Sequence, residues 1–273
     1  MLRRKAATIM LELHHLCKTF NKGTINEKPA LQDLELYLAP GDFVTVIGGN
    51  GAGKSTMLNA VAGVWPVDSG TISIDGVDVT AMPEYKRAQF IGRVFQDPMM
   101  GTAPDMQIEE NMALALRRGK KRTFRWQITR QERAFFREEL RLLGLGLEDR
   151  MTSKVGLLSG GQRQALTLLM ASLQQPKLLL LDEHTAALDP HTAAKVLQLS
   201  DQIVRENGLM TMMVTHNMRD AIAYGNRLIM MHAGNIILDI SGEDKKKLTV
   251  PDLMEAFARA SGGEFNSDRA LLG

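Results

Sequence analysis

Cysteine, aromatic residues and long apolar runs are all scarce in this sequence. The single cysteine, Cys17, permits no disulfide within the chain, which excludes a disulfide-stapled secreted scaffold and fits a reducing cytosol. No apolar run, the leucines at 178–181 included, approaches the roughly 20 residues that cross a bilayer. The first residues lack a sustained apolar stretch and a small-residue cleavage site, so we expect neither a secretory signal nor a membrane span.

A large excess of charge of either sign is also absent. Lys and Arg total 33 and Asp and Glu total 31, and a formal charge of +2 does not indicate a nucleic-acid-binding chain. Apolar residues make up 44% of the 273 residues, which excludes disorder and allows a sizeable core. At about 150 residues per domain, this length predicts one large domain or one domain with a sizeable insertion.

Short strand-like runs alternate with helix-friendly segments over much of the chain. The N-terminal runs alternate in polarity, as half-buried strands do, whereas the β-branched run at 43–47 is typical of a central buried strand. Residues 105–150 are charged and helix-friendly, which indicates a helical insertion. From residue 177 onward, strands and helices alternate as they do around a mostly parallel sheet.

A glycine-rich loop follows the buried strand and precedes a predicted helix at 55–64. Residues 48–56 read GGNGAGKST and satisfy the phosphate-loop pattern G-x-x-x-x-G-K-[ST] in its required context. Glycines let backbone amides converge on phosphate oxygens, and the helix directs its positive dipole end at the same anion. We expect Lys54 to contact the outer phosphates and Ser55 to coordinate Mg²⁺. The predicted nucleotide-binding residues here are Gly48, Asn50, Gly51, Ala52, Gly53, Lys54, Ser55 and Thr56.

An aliphatic strand ending in two acids supplies the other half of a nucleotide site. Asp182 stands at the carboxyl end of this strand, where a ligand of Mg²⁺ is needed. Glu183 follows it as the candidate general base for attack of water on the γ-phosphorus. These two motifs alone are shared by kinases, GTPases, helicases and transport ATPases.

A third motif distinguishes between these classes of nucleotide-binding protein. Residues 158–162, LSGGQ, open a predicted helix shortly before the acidic strand, and they resemble the signature of the ATP-binding cassette (ABC) ATPases. Further elements follow the order found in that family: Gln96 after an apolar run, Asp189 in ALD after the acidic strand, and His216 after the strand at 210–215. The resemblance extends over about residues 10–240.

The resemblance implies both a fold and a shared site. The fold is α/β, a P-loop NTPase core of mostly parallel sheet with an N-terminal antiparallel β subdomain and an inserted α-helical subdomain. In the family, two cassettes face each other head to tail, and each ATP lies between one phosphate loop and the other copy's signature. Carried over to this chain, Asp189 would cross the dimer interface. The residues that would contact the nucleotide of the partner copy are Ser159, Gly160, Gly161 and Gln162.

The resemblance also assigns residues to ATP and Mg²⁺ within one copy. His216 would contact the γ-phosphate and hold the attacking water with Glu183. Gln96 would contact both Mg²⁺ and the γ-phosphate at the junction with the helical insertion. Phe20 matches the place where the family stacks an aromatic ring on adenine, and a buried core phenylalanine is the alternative.

Other features have no assigned role in catalysis. His184 stands where many family members have proline, and we interpret it as a local variant, with a polar contact near the γ-phosphate as the alternative. The basic run from Arg117 to Arg125 is interpreted as a solvated helical face, with anionic headgroups, nucleic acid or a partner protein as alternatives. The histidines without metal-ligand spacing in the sequence are His14, His15, His191 and His232.

The resulting hypothesis is the ATP-hydrolysing subunit of a bacterial importer of small organic solutes, with amino acids as a candidate class. It would work as a homodimer with separate permease subunits and a solute-binding protein, at the inner face of the cell membrane and without nucleic acid. A soluble ABC-type ATPase in translation or DNA maintenance is the alternative, and a P-loop kinase gives no reason for residues 158–162. Within a single domain spanning 1–273, we expect a nucleotide-binding core at 10–97 and 171–240, a helical subdomain at 98–170 and a short tail at 241–273.

Overall fold

The computed structural model describes residues 10–120 and 128–260 as strands and helices in alternation. The strands are β1 (Leu11–Phe20), β2 (Lys28–Leu38), β3 (Phe43–Gly48), β4 (Ser69–Ile74), β5 (Val77–Asp78), β6 (Ile91–Val94), β7 (Leu178–Asp182), β8 (Thr211–Val214), β9 (Arg227–His232) and β10 (Asn235–Ser241). The helices are α1 (Lys54–Ala62), α2 (Glu84–Arg87), α3 (Ile108–Leu116), α4 (Arg130–Arg141), α5 (Gly160–Ser172), α6 (Pro190–Asn207), α7 (Met218–Ala223), α8 (Gly242–Lys247) and α9 (Val250–Ala260).

The chain divides into two compact units. The first joins the N-terminal segment up to Arg87 with the segment from Gly208 onward, and the second runs from Ala88 to Asn207. The predicted subdomain boundaries, after residues 97, 170 and 240, stay a prediction. Within the described ranges, no helix combines the length and apolar character that crossing a membrane requires.

The first unit holds an antiparallel sheet and a group of mostly parallel strands. The antiparallel sheet has the order β2-β1-β4-β5. In the second group, β3 pairs in parallel with both β8 and β9, and β10 adds an antiparallel edge strand to β9. All six residues of β3 are buried, as the β-branched run predicted. Helices α7 and α9 cover this group through an apolar cluster that includes Ile47, Met218, Met230 and Leu253.

The second unit pairs β6 with β7 in parallel and adds a helical core. Helix α4 begins in a capping box at Thr129 and Glu132, and it buries Phe136 and Leu140 on one face. These side chains join Ile108 and other apolar residues of α3 and α5 in one cluster. The helical insertion expected within 105–150 is therefore present in the described residues.

Two boundaries differ from the sequence-based expectation. Helix α1 ends at Ala62, short of the predicted residue 64, because Gly63 takes a left-handed φ of 83° and its amide caps the Ala60 carbonyl. The Gly, Asn and Lys content of residues 21–29 predicts a loop over that range. Strand β2 instead begins at Lys28, because Phe20 and Lys28 pair across the hairpin. Polarity alone does not show this backbone pairing.

Candidate functional site

The predicted phosphate loop connects β3 to α1 in the first unit. Its backbone is left-handed at Gly51, with φ 77°, and at Gly53, with φ 103°. A Cβ added to Gly53 would lie 2.5 Å from the Ala30 carbonyl oxygen. This loop conformation therefore requires glycine at residue 53.

Lys54 begins α1 and turns its side chain back over the loop. Its Nζ donates to the Gly48 carbonyl at 2.7 Å and to the Gly49 carbonyl at 3.1 Å, and the residue is only 8% exposed. Ser55 is exposed at the same helix N-terminus, whereas Thr56 is buried. A cation, a helix N-terminus and a hydroxyl thus converge on one loop, an arrangement suited to a polyphosphate.

His216 lies at the same sheet edge as the phosphate loop. Strands β3 and β8 are parallel with Val46 opposite Val214, and the Thr215 amide donates to the Val46 carbonyl at 3.1 Å. Because parallel strands end at a common edge, His216 emerges where the loop begins. The His216 side chain is exposed there.

Phe20 ends β1 with a partly exposed ring. The Trp65 ring meets it edge-on at a centroid distance of 5.1 Å, and the Lys18 Nζ lies 5.6 Å from its centroid. Phe20 is not among the buried core residues, so the alternative of a core phenylalanine finds no support.

The acidic pair follows β7 in the second unit, and a basic residue that sequence reasoning missed contacts it. Asp182 Oδ2 accepts from Arg93 Nη2 at 3.1 Å, and their side chains are 16% and 12% exposed. The Arg93 guanidinium also lies 4.6 Å from the centroid of the Phe95 ring. An ionised carboxylate has about four lone-pair sites, so this contact is compatible with a cation on Asp182.

Glu183 stands at a strained point of the backbone. Its φ is 45°, and the Ala186 amide donates to its carbonyl at 2.9 Å to close a turn. A left-handed conformation costs a non-glycine residue about 1–2 kcal/mol, and such strain is concentrated at functional sites. The candidate general base thus occupies a backbone position that the surrounding fold must stabilise.

His184 points into the protein and bonds to α6. It is 2% exposed, and its Nε2 lies 2.9 Å from Ser200 Oγ. Because that hydroxyl already donates to the Val196 carbonyl at 2.8 Å, the His184 Nε2–H must be the donor. Burial lowers the pKa of His184 to about 4, so the ring is neutral at pH 7. His184 therefore anchors the turn after Glu183, and the alternative of a contact near the γ-phosphate finds no support.

Gln96 is exposed directly after β6, and a buried amide holds the backbone that precedes it. Gln164 on α5 is fully buried and donates through Nε2 to the Phe95 carbonyl at 3.1 Å. Sequence reasoning missed Gln164. It lies one helical turn beyond Gly160, and this helical spacing from the signature is the one signal that could have predicted a role for it.

The signature residues open α5 with a reciprocal capping box. Ser159 Oγ accepts from the Gln162 amide at 3.3 Å, and Gln162 Oε1 accepts from the Ser159 amide at 3.2 Å. Ser159 and Gly160 are exposed, so this helix N-terminus faces outward. A Cβ added to Gly161 would lie 2.1 Å from Thr192 Cγ2, so a larger residue at 161 would have to displace the Thr192 side chain on α6.

Asp189 caps α6. Its Oδ1 accepts from the Thr192 amide at 3.1 Å. Hydrogen bonds from the Thr192 side chain and from the Thr192 amide lower the pKa of the Asp189 carboxyl. Pro190 begins the helix directly after it, a position that suits proline.

The segment after Gln96 is bonded to the segment before the signature. The Gly156 amide donates to the Pro104 carbonyl at 2.8 Å, and the Val155 amide donates to the Met106 carbonyl at 3.0 Å. These two backbone hydrogen bonds join residues 104–106 to residues 155–156.

The basic run is only partly within the described residues, since 121–127 lie outside them. Arg117 pairs with Glu132 at 2.8 Å, and Arg118 donates to the Ala171 carbonyl at 3.2 Å. Burial lowers the pKa of Arg118. Arg118 is therefore directed inward, whereas the Arg117 side chain stays 37% exposed. For the run as a whole, the interpretation as a solvated face stays a prediction.

Comparison with known proteins identifies the family. Residues 31–186 match the family described as ABC transporter. The chain belongs to the ABC transporter family. It is 44% identical over 251 residues to a tyrosine transport ATP-binding protein of Clostridioides difficile, across 92% of this chain and 100% of that protein. It is 34% identical over 231 residues to a spermidine/putrescine import ATP-binding protein of Haemophilus influenzae, across 84% of this chain and 57% of that protein.

Solved ABC cassettes show the same fold. A dimeric cassette in a post-hydrolysis state, bound to ADP and Pi, matches with a TM-score of 0.70 at 30% identity, over 85% of this chain and 98% of that chain. A nucleotide-free cassette matches with a TM-score of 0.73 at 24% identity, over 91% and 98%, and shows the fold alone. The expected α/β cassette fold is confirmed, and this ABC chain is an ATP-binding ATPase.

Proposed function

We propose that this ABC ATPase drives a bacterial importer whose substrate is an amino acid of the tyrosine type. The observation that carries this proposal is the 44% identity over the full length of a tyrosine transport ATP-binding protein. Relatives named for spermidine/putrescine and for aliphatic sulfonates are 34% and 35% identical, over 57% and 64% of their lengths.

The phosphate-loop residues would bind the ATP phosphates, with Lys54 on the outer ones and Phe20 against adenine. Ser55, Asp182 and Gln96 offer a hydroxyl, a carboxylate and an amide oxygen, which are the hard oxygen ligands that Mg²⁺ prefers. When bound, Mg²⁺ supplies charge neutralisation on the phosphate oxygens.

Hydrolysis would then use the acid that follows the metal ligand. A water oxygen attacks the γ-phosphorus, Glu183 accepts the water proton, and the bond to the β-phosphate oxygen breaks to release ADP and Pi. His216 would hold the same water. The strained backbone at Glu183 and the buried anchor at His184 both support a fixed position for the base.

A second copy would complete each site. The exposed N-terminus at Ser159 and Gly160 presents a hydroxyl and helix amides outward, as contact with another copy's γ-phosphate needs. Gly161 and Gln162 would support this contact, and Asp189 would cross the interface. The dimeric cassette bound to ADP and Pi supports a dimer for this chain, and the head-to-tail arrangement of its two copies is what the family resemblance implies.

Exposed apolar side chains near Gln96 suit a permease contact. Met99 and Met100 are 50% and 68% exposed, and Leu157, next to the signature, is 71% exposed. Since 104–106 and 155–156 are hydrogen-bonded, force applied by a permease beside Gln96 would reach the signature. The chain would lie on the inner face of the membrane, with a solute-binding protein delivering the substrate to the permease.

The test is substrate uptake by cells that express the chain together with its permease subunits. We expect ATP-dependent accumulation of labelled tyrosine with the wild-type chain and none with Glu183→Gln, which removes the base and keeps the side-chain size. Uptake of labelled spermidine or sulfonate in place of tyrosine would overturn the substrate class.

A second arm tests the permease contact. Met100→Glu should abolish co-purification with the permease and leave ATP binding intact, because it charges an exposed apolar side chain near Gln96. Ile25→Glu, which charges another exposed apolar side chain, is the matched control and should leave co-purification unchanged. A wild-type pool bound to ribosomes or DNA, with no membrane partner, would overturn the transporter assignment.

A further inference from the structure

Two adjacent histidines and a glutamate form a cluster on the antiparallel sheet of the first unit. One side-chain ligand atom from each of His14, His15 and Glu35 lies within 4.8 Å of the others, and all three residues are exposed. The phosphate loop, the acidic pair and the signature contain none of these residues. In the sequence, His14 and His15 show no metal-ligand spacing, so no role is predicted for them. Neighbouring residues of a regular strand point to opposite faces of a sheet.

A backbone irregularity brings the two rings to the same side. His15 has φ 51°, and the pairing of β1 with β2 shifts register between Leu13 and Leu16. The ring centroids of His14 and His15 consequently lie 4.2 Å apart. Bulges of this kind redirect side chains and are enriched next to functional sites.

The neighbouring strands are adapted to this irregularity. Asp33 on β2 is also left-handed, with φ 51°. On β4, a Cβ added to Gly70 would lie 2.5 Å from the His14 carbonyl oxygen and 2.4 Å from that of His15. Left-handed backbone costs about 1–2 kcal/mol at each non-glycine residue. The fold thus tolerates strain on two strands at a place that ATP chemistry does not use.

The distances between ligand atoms fit a tetrahedral metal ion. Glu35 Oε1 lies 3.3 Å from His14 Nδ1 and 3.4 Å from His15 Nε2. Zinc bonds to nitrogen and oxygen of about 2.0–2.1 Å in a tetrahedron place neighbouring ligand atoms about 3.3–3.4 Å apart. With a small movement of these exposed side chains, the three ligand atoms can all bond to one ion.

The outer contacts match those of a metal-binding histidine. The second ring nitrogen of His15, Nδ1, lies 2.7 Å from Asp33 Oδ1. Metal-bound histidines commonly donate their other ring N–H to a carboxylate, which fixes the tautomer and the ring orientation. The Tyr37 hydroxyl, 3.3 Å from His14 Nδ1, adds an oxygen at the edge of the cluster.

We propose that His14, His15 and Glu35 bind one divalent transition-metal ion of the Zn²⁺ class, with water as the fourth ligand. Asp33 positions His15 for this ion. Imidazole nitrogens with one carboxylate suit zinc and its neighbours, whereas Mg²⁺ and Ca²⁺ require oxygen ligands. This site is separate from the Mg²⁺ that accompanies ATP.

The test is a titration of the untagged full chain with Zn²⁺ in the presence of a competing chelator. We expect one ion per chain, and Co²⁺ in its place should give the visible absorption bands of a tetrahedral site. The double variant His14→Ala/His15→Ala should lose this binding, and Glu35→Gln should weaken it at least tenfold. Asp33→Asn should weaken it by about 10- to 100-fold, because it removes an outer-shell partner.

Controls separate metal binding from loss of fold and from chance surface binding. His191→Ala removes an exposed histidine on α6 and should leave Zn²⁺ affinity unchanged. Every variant should retain ATP binding, which reports an intact first unit. Absence of saturable Zn²⁺ binding, equal affinity in the double variant, or binding of Mg²⁺ as tight as that of Zn²⁺ would overturn the proposal and leave the cluster as surface ion pairs.

Discussion

Acidification should destabilise this ABC ATPase through His184. In the folded chain burial lowers the pKa of His184 to about 4, whereas an unfolded histidine titrates near 6.5. Between these two values the unfolded state binds more protons than the folded state. The contribution of His184 to the free energy of unfolding is therefore fully present above pH 6.5 and is lost as the pH falls toward 4.

The size of the effect follows from the two pKa values. Between pH 7 and pH 5, the linkage relation gives a loss of about 2 kcal/mol from His184 alone. At about 2–4 °C per kcal/mol for a chain of this size class, the unfolding midpoint should fall by about 4–8 °C from this source.

The assay compares urea unfolding of matched variants across this pH range. His184→Gln retains a donor that can reach Ser200 and does not titrate, so its unfolding free energy should lose about 2 kcal/mol less than that of wild type between pH 7 and pH 5. His191→Asn changes an exposed histidine of α6 and should follow wild type. Equal pH dependence of wild type and His184→Gln would refute the assignment of a buried, neutral imidazole.

Three further predictions concern the nucleotide site. Gly53→Ala places a Cβ 2.5 Å from the Ala30 carbonyl oxygen and should weaken ATP binding measured by calorimetry. Gly23 also has a positive φ, 77°, but an added Cβ there meets no atom within 4 Å, so Gly23→Ala should leave ATP binding unchanged. Phe20→Ala should weaken ATP binding by about 5- to 150-fold, the equivalent of about 1–3 kcal/mol of stacking, and an unchanged Kd would remove Phe20 from the site. Ser159→Arg should bind ATP without hydrolysing it. Mixing this variant with Lys54→Ala should restore turnover, because the mixed dimer has one site made of an intact phosphate loop from one copy and an intact signature from the other. If mixing restores no turnover, a site shared between copies is contradicted.

Local pattern made the phosphate loop predictable. Glycine, lysine and hydroxyl residues stand at fixed spacing between a buried strand and a helix, and the structure places Gly53 and Lys54 accordingly. The loop needs only neighbours in sequence to define its shape. The same holds for the capping box at Ser159 and Gln162, whose residues lie three apart.

Contacts between distant segments were not predictable in the same way. Arg93 reaches Asp182 and Gln164 reaches Phe95 because strand and helix pack in a register that polarity does not encode. The direction of His184 depends likewise on α6 lying against it. The cluster at His14 and His15 depends on a backbone irregularity, which the alternation rule for strands cannot reveal.

The most direct test of the account is ATP turnover and ATP binding measured together on wild type and Glu183→Gln. Glu183→Gln should bind ATP with about wild-type affinity and lose turnover by about 10²- to 10⁴-fold, as removal of a general base does. Turnover within a few-fold of wild type, with binding intact, would contradict it.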